Sequence, residues 1–314
     1  MRPAPAYFHD LTFSYSHLDY PLLFPFLTAG AYAATGTTAD RTAEVISIFL
    51  DVLTVPMLYL GLRWKLPRLP AICLSAVPIL LPITFRLAGS GCADLPLAAF
   101  YAGSVLYAAR WIDEGQREDL VLAILFSVFV AFTKNEGLVL ALINGVVMGA
   151  FAIRSRPRSG WTGAAIFFGG LLLLDGPWLI WNHSLPRTHE DYGTKLLSPL
   201  VLTNLGRLAN VLPAMITKSA EFKTWGLLWF LLGSMALIGW RAFGRRFVQA
   251  VWIMLALQLA AYALVYCVTP WNLDELMAIS LDRLLWHTVP AVVLLIGWHW
   301  AELLAGRRLA DGPQ

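Results

Sequence analysis

Long apolar runs, each close to the length of a membrane-crossing helix, are the feature that most restricts what this chain can fold into. A helix needs about 20 mainly apolar residues to cross the hydrocarbon core of a bilayer, and somewhat fewer where flanking side chains reach the interface. Hydrophobic residues make up 58% of the 314 residues and charged residues only 14%, whereas a soluble domain carries about 25% charged residues. The sequence therefore predicts an all-α polytopic membrane protein. We assign about nine spans, over residues 42–62, 70–88, 94–111, 119–133, 137–153, 161–182, 225–241, 248–268 and 284–303.

Two further apolar segments are predicted to lie at the membrane surface. Residues 20–36 are short and contain two prolines and two glycines, which favours a helix in the interface over a full span. Residues 202–218 repeat apolar side chains at helical spacing, and Asn204 and Lys218 lie off that stripe. This pattern is typical of an amphipathic helix on the outer surface. No internal repeat is visible, so we expect one membrane domain over residues 1–314.

Positively charged residues indicate the orientation of the spans, because short cytoplasmic loops carry an excess of Lys and Arg. More than half of the 23 Lys and Arg residues fall in short segments between spans and in the C-terminal tail. We place these segments inside, and we expect their acids to pair with neighbouring cations. The inside segments are residues 63–68, 110–119, 154–160, 240–246 and the tail from 306. The outside segments are residues 1–41, 86–94, 134–136, 183–224 and 269–283, and they hold the unusual polar residues.

Several classes of function lack support in the sequence. The net charge of +3 is too small to indicate a nucleic-acid partner. The three cysteines, Cys73, Cys92 and Cys267, form neither a disulfide framework nor a zinc-binding pattern, although a bridge between Cys92 and Cys267 stays open. There is no glycine-rich phosphate loop and no G-x-S-x-G nucleophile motif.

The first outside segment contains two pairs of histidine and aspartate. His17 and Asp19 lie in SHLDYP (16–21), directly before the interfacial segment, and His9 and Asp10 repeat the pair upstream. One interpretation is a solvated loop ahead of a proline-led helix. Another is a carboxylate held over the membrane beside an imidazole, a pair that can position or deprotonate a hydroxyl group. A divalent metal site made by these four side chains is a third alternative, although their spacing matches no strong pattern.

Two outer turns place charged residues where span ends meet. Asp94 begins a span in SGCADLPLAAF (90–100), either as an N-cap or as a carboxylate facing an outer cavity. TKNEG (133–137) places Lys134 and Glu136 between two short helices. The turn could simply end one helix and cap the next. Charges buried at this depth are costly unless they meet partners or a ligand, and a phosphate beside Lys134 would justify the cost.

The segment SLDRLLWHTVP (280–290) predicts an anion near the start of the last span. Ser280 suits an N-cap, and Arg283 would then lie in the first helical turn, where a cation opposes the helix dipole. An anion is the natural partner, and the fork of a guanidinium group suits phosphate. The alternative is an arginine that reaches the interface or pairs with Asp274 or Glu275.

In order along the chain, several short motifs resemble those of the C-fold (GT-C) glycosyltransferases. They are SHLDYPLLFPFLTA before a span, GCADLPLAAF and FTKNEG at the next two outer turns, GPWLIWN (176–182), and SLDRLLWHTVP near the end. The likeness is strongest to the bacterial branch that uses polyprenyl-phosphate sugars, which is related to aminoarabinose and protein O-mannosyl transferases. It covers most of the chain, and the order and outside placement of the motifs carry it.

The resemblance implies an enzyme integral to the bacterial inner (plasma) membrane, with a cytoplasmic C-terminus and an active site on the outer, periplasmic face. The donor is a sugar on a polyprenyl phosphate, delivered from the bilayer, and the acceptor is a glycan, a lipid or a protein. The sugar configuration inverts. No nucleotide-binding fold is needed, no nucleic acid takes part, and no cofactor is certain, although a divalent metal stays open.

The resemblance also implies roles for individual residues. The base in this family is an acid of the first outer loop, and Asp19 or Asp10 takes that place here, while Asp94 matches the acid at the second outer turn. Lys134 matches a basic residue at the donor phosphate, and Arg283 matches a Ser–x–x–Arg segment by pattern. The catalytic candidates are therefore Asp19, Asp94 and Asp10, and the substrate-binding candidates are His17, Tyr20, Lys134, Glu136 and Arg283.

Family members carry an additional first span and an early catalytic acid that have no counterpart here, so we expect residues 1–41 to be part of the outer catalytic loop only. Two other functions stay open. A lipid or solute transporter needs polar residues along a path across the membrane, and Asp51, in the middle of 42–62, favours it. A noncatalytic fragment or scaffold of the same fold is the second.

Overall fold

The computed structural model describes residues 19–39, 41–185 and 192–310, and these residues form helices and the turns between them. The helices up to residue 185 are α1 (Leu23–Thr35), α2 (Arg41–Arg63), α3 (Arg68–Ser75), α4 (Val77–Leu80), α5 (Pro82–Ala88), α6 (Asp94–Glu114), α7 (Arg117–Ala131), α8 (Asn135–Ser155) and α9 (Pro157–His183). Those after it are α10 (Tyr192–Leu196), α11 (Leu200–Thr203), α12 (Leu208–Ser219), α13 (Phe222–Trp225), α14 (Leu228–Ile238), α15 (Arg246–Val268), α16 (Leu273–Trp286) and α17 (Val289–Ala310). Two 3-10 turns lie at Leu205–Arg207 and Trp240–Gly244.

Five helices of the described part are long and apolar enough to cross a membrane. They are α2, α8, α9, α15 and the Val289–Gly306 part of α17. Each falls on a predicted span, and four of the five helices extend the span by one to four residues, whereas α17 begins five residues after the predicted start at 284. The spans predicted at 94–111 and 119–133 are also helical, as α6 and α7. With 15 residues, α7 is about 22 Å long and so is shorter than the hydrocarbon core of about 30 Å.

Two predicted spans are broken into shorter helices. Residues 70–88 form α3, α4 and α5 instead of one helix, because the region contains Pro78 and Pro82, and proline has no amide hydrogen for a helix interior. Residues 225–241 are interrupted at Gly226, whose positive φ of 55° ends α13. The 11 residues of α14 cover only about 16 Å. These two regions are helical as predicted but not continuous.

The two segments predicted at the membrane surface are also helical. The 13 residues of α1 extend about 20 Å, which is too short for a full span and agrees with an interfacial helix. The amide of Leu23 donates a hydrogen bond of 3.0 Å to the carbonyl of Phe132, and this bond ties the start of α1 to the end of α7. The amphipathic segment 202–218 is broken at Asn204 and continues as α12.

The helix α6 lies in the middle of the bundle, packed against α2, α7, α8, α15 and α17. Small side chains on α6 let these neighbours approach closely. A Cβ atom at Gly103 would come within 2.5 Å of the Phe126 ring. At the centre of α6, Ser104 contacts Ser127 of α7 at 2.7 Å and accepts a hydrogen bond of 2.9 Å from Asn144 of α8. These bonds join α6, α7 and α8, and the candidate residues lie at the start of α6 and in the turn between α7 and α8.

At the other end of the bundle, four acids of the described residues pair with cations, as predicted. Lys65 contacts Asp113 at 3.0 Å, and Arg245 contacts Glu302 at 2.7 Å. Arg110 contacts Asp119 at 3.1 Å and Glu114 at 3.6 Å. These pairs lie between the segments that we predict to be inside, and they leave the unusual polar groups at the opposite end.

Candidate active site

Asp94 is the centre of a charged cluster at the end of the bundle where α6 and α8 begin and α16 ends. Its side chain is completely buried, and three side chains from two regions of the chain contact its carboxylate. Lys134 Nζ lies 3.0 Å from Oδ1, Arg283 Nη2 lies 2.8 Å from Oδ2, and His287 Nε2 lies 2.9 Å from Oδ1. Two cations therefore share one carboxylate.

The interpretation of Asp94 as a helix cap is wrong. The N-cap of α6 is Ala93, and no side chain makes a capping hydrogen bond there. Asp94 occupies the first helical position, where the helix dipole favours a negative charge. Its carboxylate pairs with Lys134 and Arg283 instead of capping the helix, because a buried charge needs paired charges and hydrogen bonds.

Lys134 occupies the tight turn between α7 and α8, and only 4% of the residue is exposed. Its ammonium group contacts Glu136 at 3.3 Å in addition to Asp94. Burial by itself would lower the pKa of Lys134, but the carboxylates of Asp94 and Glu136 outweigh it and hold the pKa above its ordinary value. Lys134 therefore stays charged at neutral pH. The turn closes tightly because Gly137 has no side chain next to the Val130 carbonyl.

Arg283 lies in the last turn of α16, and the prediction that it begins the last span is wrong. The chain makes a break at His287, and α17 begins only at Val289. A cation in a last turn agrees with the helix dipole. The N-cap of α16 is Asn272 instead of Ser280, so Asp274 and Glu275 lie in the first turn, at the other end of this helix.

The anion that Arg283 needs is Asp94. The Nε and Nη2 atoms of Arg283 lie 3.0 Å and 2.8 Å from the same oxygen, Asp94 Oδ2. The Arg283 side chain is nevertheless 39% exposed, whereas Lys134 and Asp94 are enclosed. Arg283 is therefore the member of the cluster that a ligand reaches first.

Asp19 lies beside the same turn as Lys134. Asn135 donates a hydrogen bond of 3.3 Å to Asp19 Oδ2, and Asn182 at the end of α9 donates one of 2.6 Å to the Asp19 carbonyl. Within the described part of the chain, Asp19 Oδ1 is buried and has no hydrogen-bond partner. Glu136 Oε2 is in the same situation. Tyr20 follows Asp19 and is half-buried ahead of α1.

The structure thus brings five of the predicted residues to one end of the bundle, namely Asp19, Asp94, Lys134, Glu136 and Arg283. Asp10 and His17 lie outside the described residues. Of the four side chains considered for a divalent metal site, only Asp19 is among the described residues. Among the residues with a described structure, no group of three histidine, cysteine or acidic residues is placed to hold a metal ion.

Sequence reasoning missed several members of this end of the molecule. His287 contacts Asp94 directly, and its only sequence signal was that it is a titratable residue within the apolar span predicted at 284–303. Burial lowers the pKa of His287, although Asp94 acts in the opposite direction. A second cluster lies beside the first, with Asp282 contacting Arg86 at 2.7 Å and Lys218 at 3.8 Å. These two cations come from α5 and α12, and nothing in the sequence links them to α16.

The bundle of membrane-length helices and the charged cluster at one of its ends define an all-α polytopic membrane protein. The crystal structure of ArnT from Cupriavidus metallidurans bound to undecaprenyl phosphate shares this fold, with a TM-score of 0.54 and 14% sequence identity. The match covers 93% of this chain and 53% of that chain, so this chain spans about half the length of ArnT. The GT-C fold that the order of the motifs predicted is confirmed. No protein-family model and no curated protein matches the sequence.

Proposed function

We propose that this protein is a membrane glycosyltransferase that moves a sugar from a polyprenyl-phosphate donor to an acceptor at the outer face of the membrane. The observation that carries the proposal is the cluster in which Lys134 and Arg283 share the Asp94 carboxylate, next to an Asp19 oxygen without a partner among the described residues. A phosphate group and a hydroxyl group are the two substrates that such a cluster suits.

The donor phosphate binds at Arg283 in this proposal. Asp94 occupies one edge of the guanidinium group, and the exposed remainder can donate further hydrogen bonds to phosphate oxygens. Lys134 supplies a second positive charge from behind. Asp94 is then a positioning residue that holds the two cations close together, and its predicted catalytic role stays a prediction.

An apolar cavity beside the cluster supports a polyprenyl donor. It has a volume of about 550 Å³ and lies between α12, α14 and α15. Leu285, two residues after Arg283, forms part of its wall. Lys218 of α12, a helix that lines the cavity, contacts Asp282 of α16. The prenyl chain would occupy this cavity while its phosphate reaches Arg283, and the undecaprenyl phosphate bound to ArnT supports this class of donor.

The transfer itself is a single displacement. The acceptor hydroxyl oxygen attacks the anomeric carbon of the sugar, and its proton passes to Asp19 Oδ1. The bond between that carbon and the phosphate oxygen breaks, and the polyprenyl phosphate leaves with the bonding electrons. Attack opposite to the leaving group inverts the configuration. Asp10 and His17 belong to the same outer loop, and Tyr20 and Glu136 are proposed to contact the sugar or the acceptor.

The experiment is sugar transfer by the purified protein in lipid, with radiolabelled polyprenyl-phosphate hexoses and pentoses as donors. We expect transfer by the wild type and a loss of about 100-fold or more in Asp19→Asn, with undecaprenyl phosphate binding retained. Arg283→Met should instead weaken undecaprenyl phosphate binding. Arg245→Gln is the matched control, because Arg245 is an ion-paired and partly exposed arginine at the other end of the bundle.

Absence of transfer and of undecaprenyl phosphate binding across the donor panel would contradict the proposal. Equal losses in Arg245→Gln and Arg283→Met would assign the effect to general destabilisation.

Transport of a lipid or solute is the second candidate function. Asp51 of α2 and Asp175 of α9 are buried within candidate spans, and within the described residues Asp51 Oδ1 and both oxygens of Asp175 have no hydrogen-bond partner. Intramembrane acids of this kind often serve ion or substrate pathways. Substrate-stimulated flux in proteoliposomes without sugar transfer, abolished in Asp51→Asn, would favour this function. Binding without flux or transfer would favour a noncatalytic scaffold.

A further inference from the structure

A line of buried hydrogen bonds runs from Asp94 away from the charged cluster and into the bundle. His287 Nε2 lies 2.9 Å from Asp94 Oδ1, and His287 Nδ1 lies 3.1 Å from the Tyr262 hydroxyl of α15. The amide of Gln258, one turn earlier on α15, donates a hydrogen bond of 2.9 Å to the same hydroxyl. Gln258 and His287 are completely buried and Tyr262 is 3% exposed. None of these three side chains has a part in the transfer step described above.

The charge of Asp94 and the protonation state of His287 decide which atom donates in each of these hydrogen bonds. Asp94 is bound by two cations, so its carboxylate is ionised and only accepts hydrogen bonds. His287 Nε2 must therefore carry a proton and donate it to Oδ1. Burial lowers the pKa of His287, which keeps the imidazole neutral at neutral pH. Its Nδ1 then accepts, and the Tyr262 hydroxyl donates there. That hydroxyl oxygen in turn accepts from Gln258, which can only donate through its amide nitrogen.

We infer that His287 is a positioning residue whose neutral Nε2–H tautomer, held by Tyr262 and Gln258, fixes the rotation of the Asp94 carboxylate and thereby the spacing of Lys134 and Arg283. Oδ1 accepts from His287 as well as from Lys134, while Oδ2 faces Arg283. Without the imidazole, Lys134 is the partner that remains for Oδ1 among the described residues. The role of His287 in substrate binding rests on the proposed function, whereas the tautomer of His287 does not.

The second buried histidine of the bundle provides an internal comparison. His299 of α17 lies 2.9 Å from the Gly239 carbonyl through Nδ1, and Trp252 donates a hydrogen bond of 3.0 Å to its Nε2. A carbonyl only accepts and an indole only donates, so His299 carries its proton on Nδ1. The two buried histidines are thus expected to be opposite neutral tautomers.

The first experiment measures these tautomers by solid-state nitrogen NMR of histidine-labelled protein in lipid. We expect an Nε2–H tautomer for His287 and an Nδ1–H tautomer for His299, each assigned by the loss of its signals in His287→Gln and His299→Gln. In Tyr262→Phe the His287 Nδ1 signal should shift, because it loses its donor. An Nδ1–H or doubly protonated His287 at neutral pH would overturn the inference, whether or not the protein transfers sugar.

The second experiment separates positioning from structural support by kinetics. His287→Leu removes the donor to Asp94, and we expect the KM for the polyprenyl-phosphate donor to rise about tenfold or more, with the KM for the acceptor unchanged. His287→Gln keeps an amide donor near the Nε2 position and should recover most of the loss. A purely structural role would lower the folded fraction and hence the apparent kcat, without changing either KM.

His299→Leu is the control for this series, because it removes a buried, hydrogen-bonded histidine at the opposite end of the bundle. It is expected to cost stability and to leave the donor KM unchanged. An unchanged donor KM in His287→Leu would overturn the positioning role. Absence of any transfer or undecaprenyl phosphate binding in the wild type would refute the proposed function, and the tautomer of His287 would still decide whether it orients Asp94.

Discussion

At the scale of single residues, Asp94 has the most demanding environment in the described part of the molecule. Its buried carboxylate is the counter-ion for Lys134 and Arg283, and it accepts from His287 as well. Desolvating a carboxylate is expensive, and only such a set of partners offsets the cost. The sequence identified Asp94, Lys134 and Arg283 separately, each as a charged residue near the end of a predicted span. Their mutual pairing depends on helices that are far apart along the chain.

We expect Asp94→Asn to lower the free energy of unfolding by about 3–5 kcal/mol, because the substitution leaves two cations near a neutral side chain. Thermal or denaturant unfolding of the purified protein in detergent measures it. The matched control is Asp113→Asn, which removes a carboxylate from the partly exposed pair with Lys65 at the other end. That change should cost no more than about 1 kcal/mol. Equal losses in the two variants would contradict the buried ion-pair account.

At the scale of elements, tight turns and helix breaks decide where the charged residues end up. Prolines and Gly226 divide two predicted spans into short helices, and Arg86 of α5 reaches Asp282 from one such piece. The break at His287 ends α16 early and places Arg283 in a last turn. Periodicity and apolar length located these regions correctly as helical. They could not locate the breaks, because a proline can lie in the first turn of a new helix as readily as inside an old one.

The turn between α7 and α8 provides a test at this scale. A Cβ atom at Gly137 would overlap the backbone carbonyl of Val130, which cannot move without shifting α7. We expect Gly137→Ala to destabilise the protein by about 1–3 kcal/mol and to weaken donor binding, because Lys134 and Glu136 belong to the same turn. Unfolding curves and undecaprenyl phosphate binding measure the two effects.

Gly169→Ala is the matched control for this variant. Gly169 lies within α9, and a Cβ atom there would meet nothing within 4 Å. Alanine also has the higher helix propensity, so the control should be neutral or slightly stabilising. Equal free energies of unfolding in Gly137→Ala and Gly169→Ala would show that the turn tolerates a side chain at Gly137.

At the scale of the whole molecule, the two ends of the bundle differ in charge arrangement. One end has ordinary cation–acid pairs between short loops, and the other has the Asp94 and Asp282 clusters. The excess of Lys and Arg in the short loops predicts that the first end faces the cytoplasm. The candidate active site would then face the outside, as the proposed function requires.

Cysteine labelling in spheroplasts tests this orientation. In a variant without native cysteines, Lys223→Cys and Arg158→Cys place one exposed thiol at each end of the bundle. We expect a membrane-impermeant maleimide to label Lys223→Cys in intact spheroplasts and Arg158→Cys only after permeabilisation. The reverse pattern would show that the cluster faces the cytoplasm.

Sequence patterns alone predicted the class of the protein, the helical character of its segments and five of the residues that meet at one end. Those features follow from apolar length, composition and local polar context, which are readable over short windows. The role of Asp94 as the common partner of Lys134, Arg283 and His287 became visible only in the folded chain, since these contacts join α6 to a turn some 40 residues away and to the end of α16 about 190 residues away. Such pairings arise from helix packing, in which the breaks and the small residues of α6 set the distances, and no local pattern encodes them.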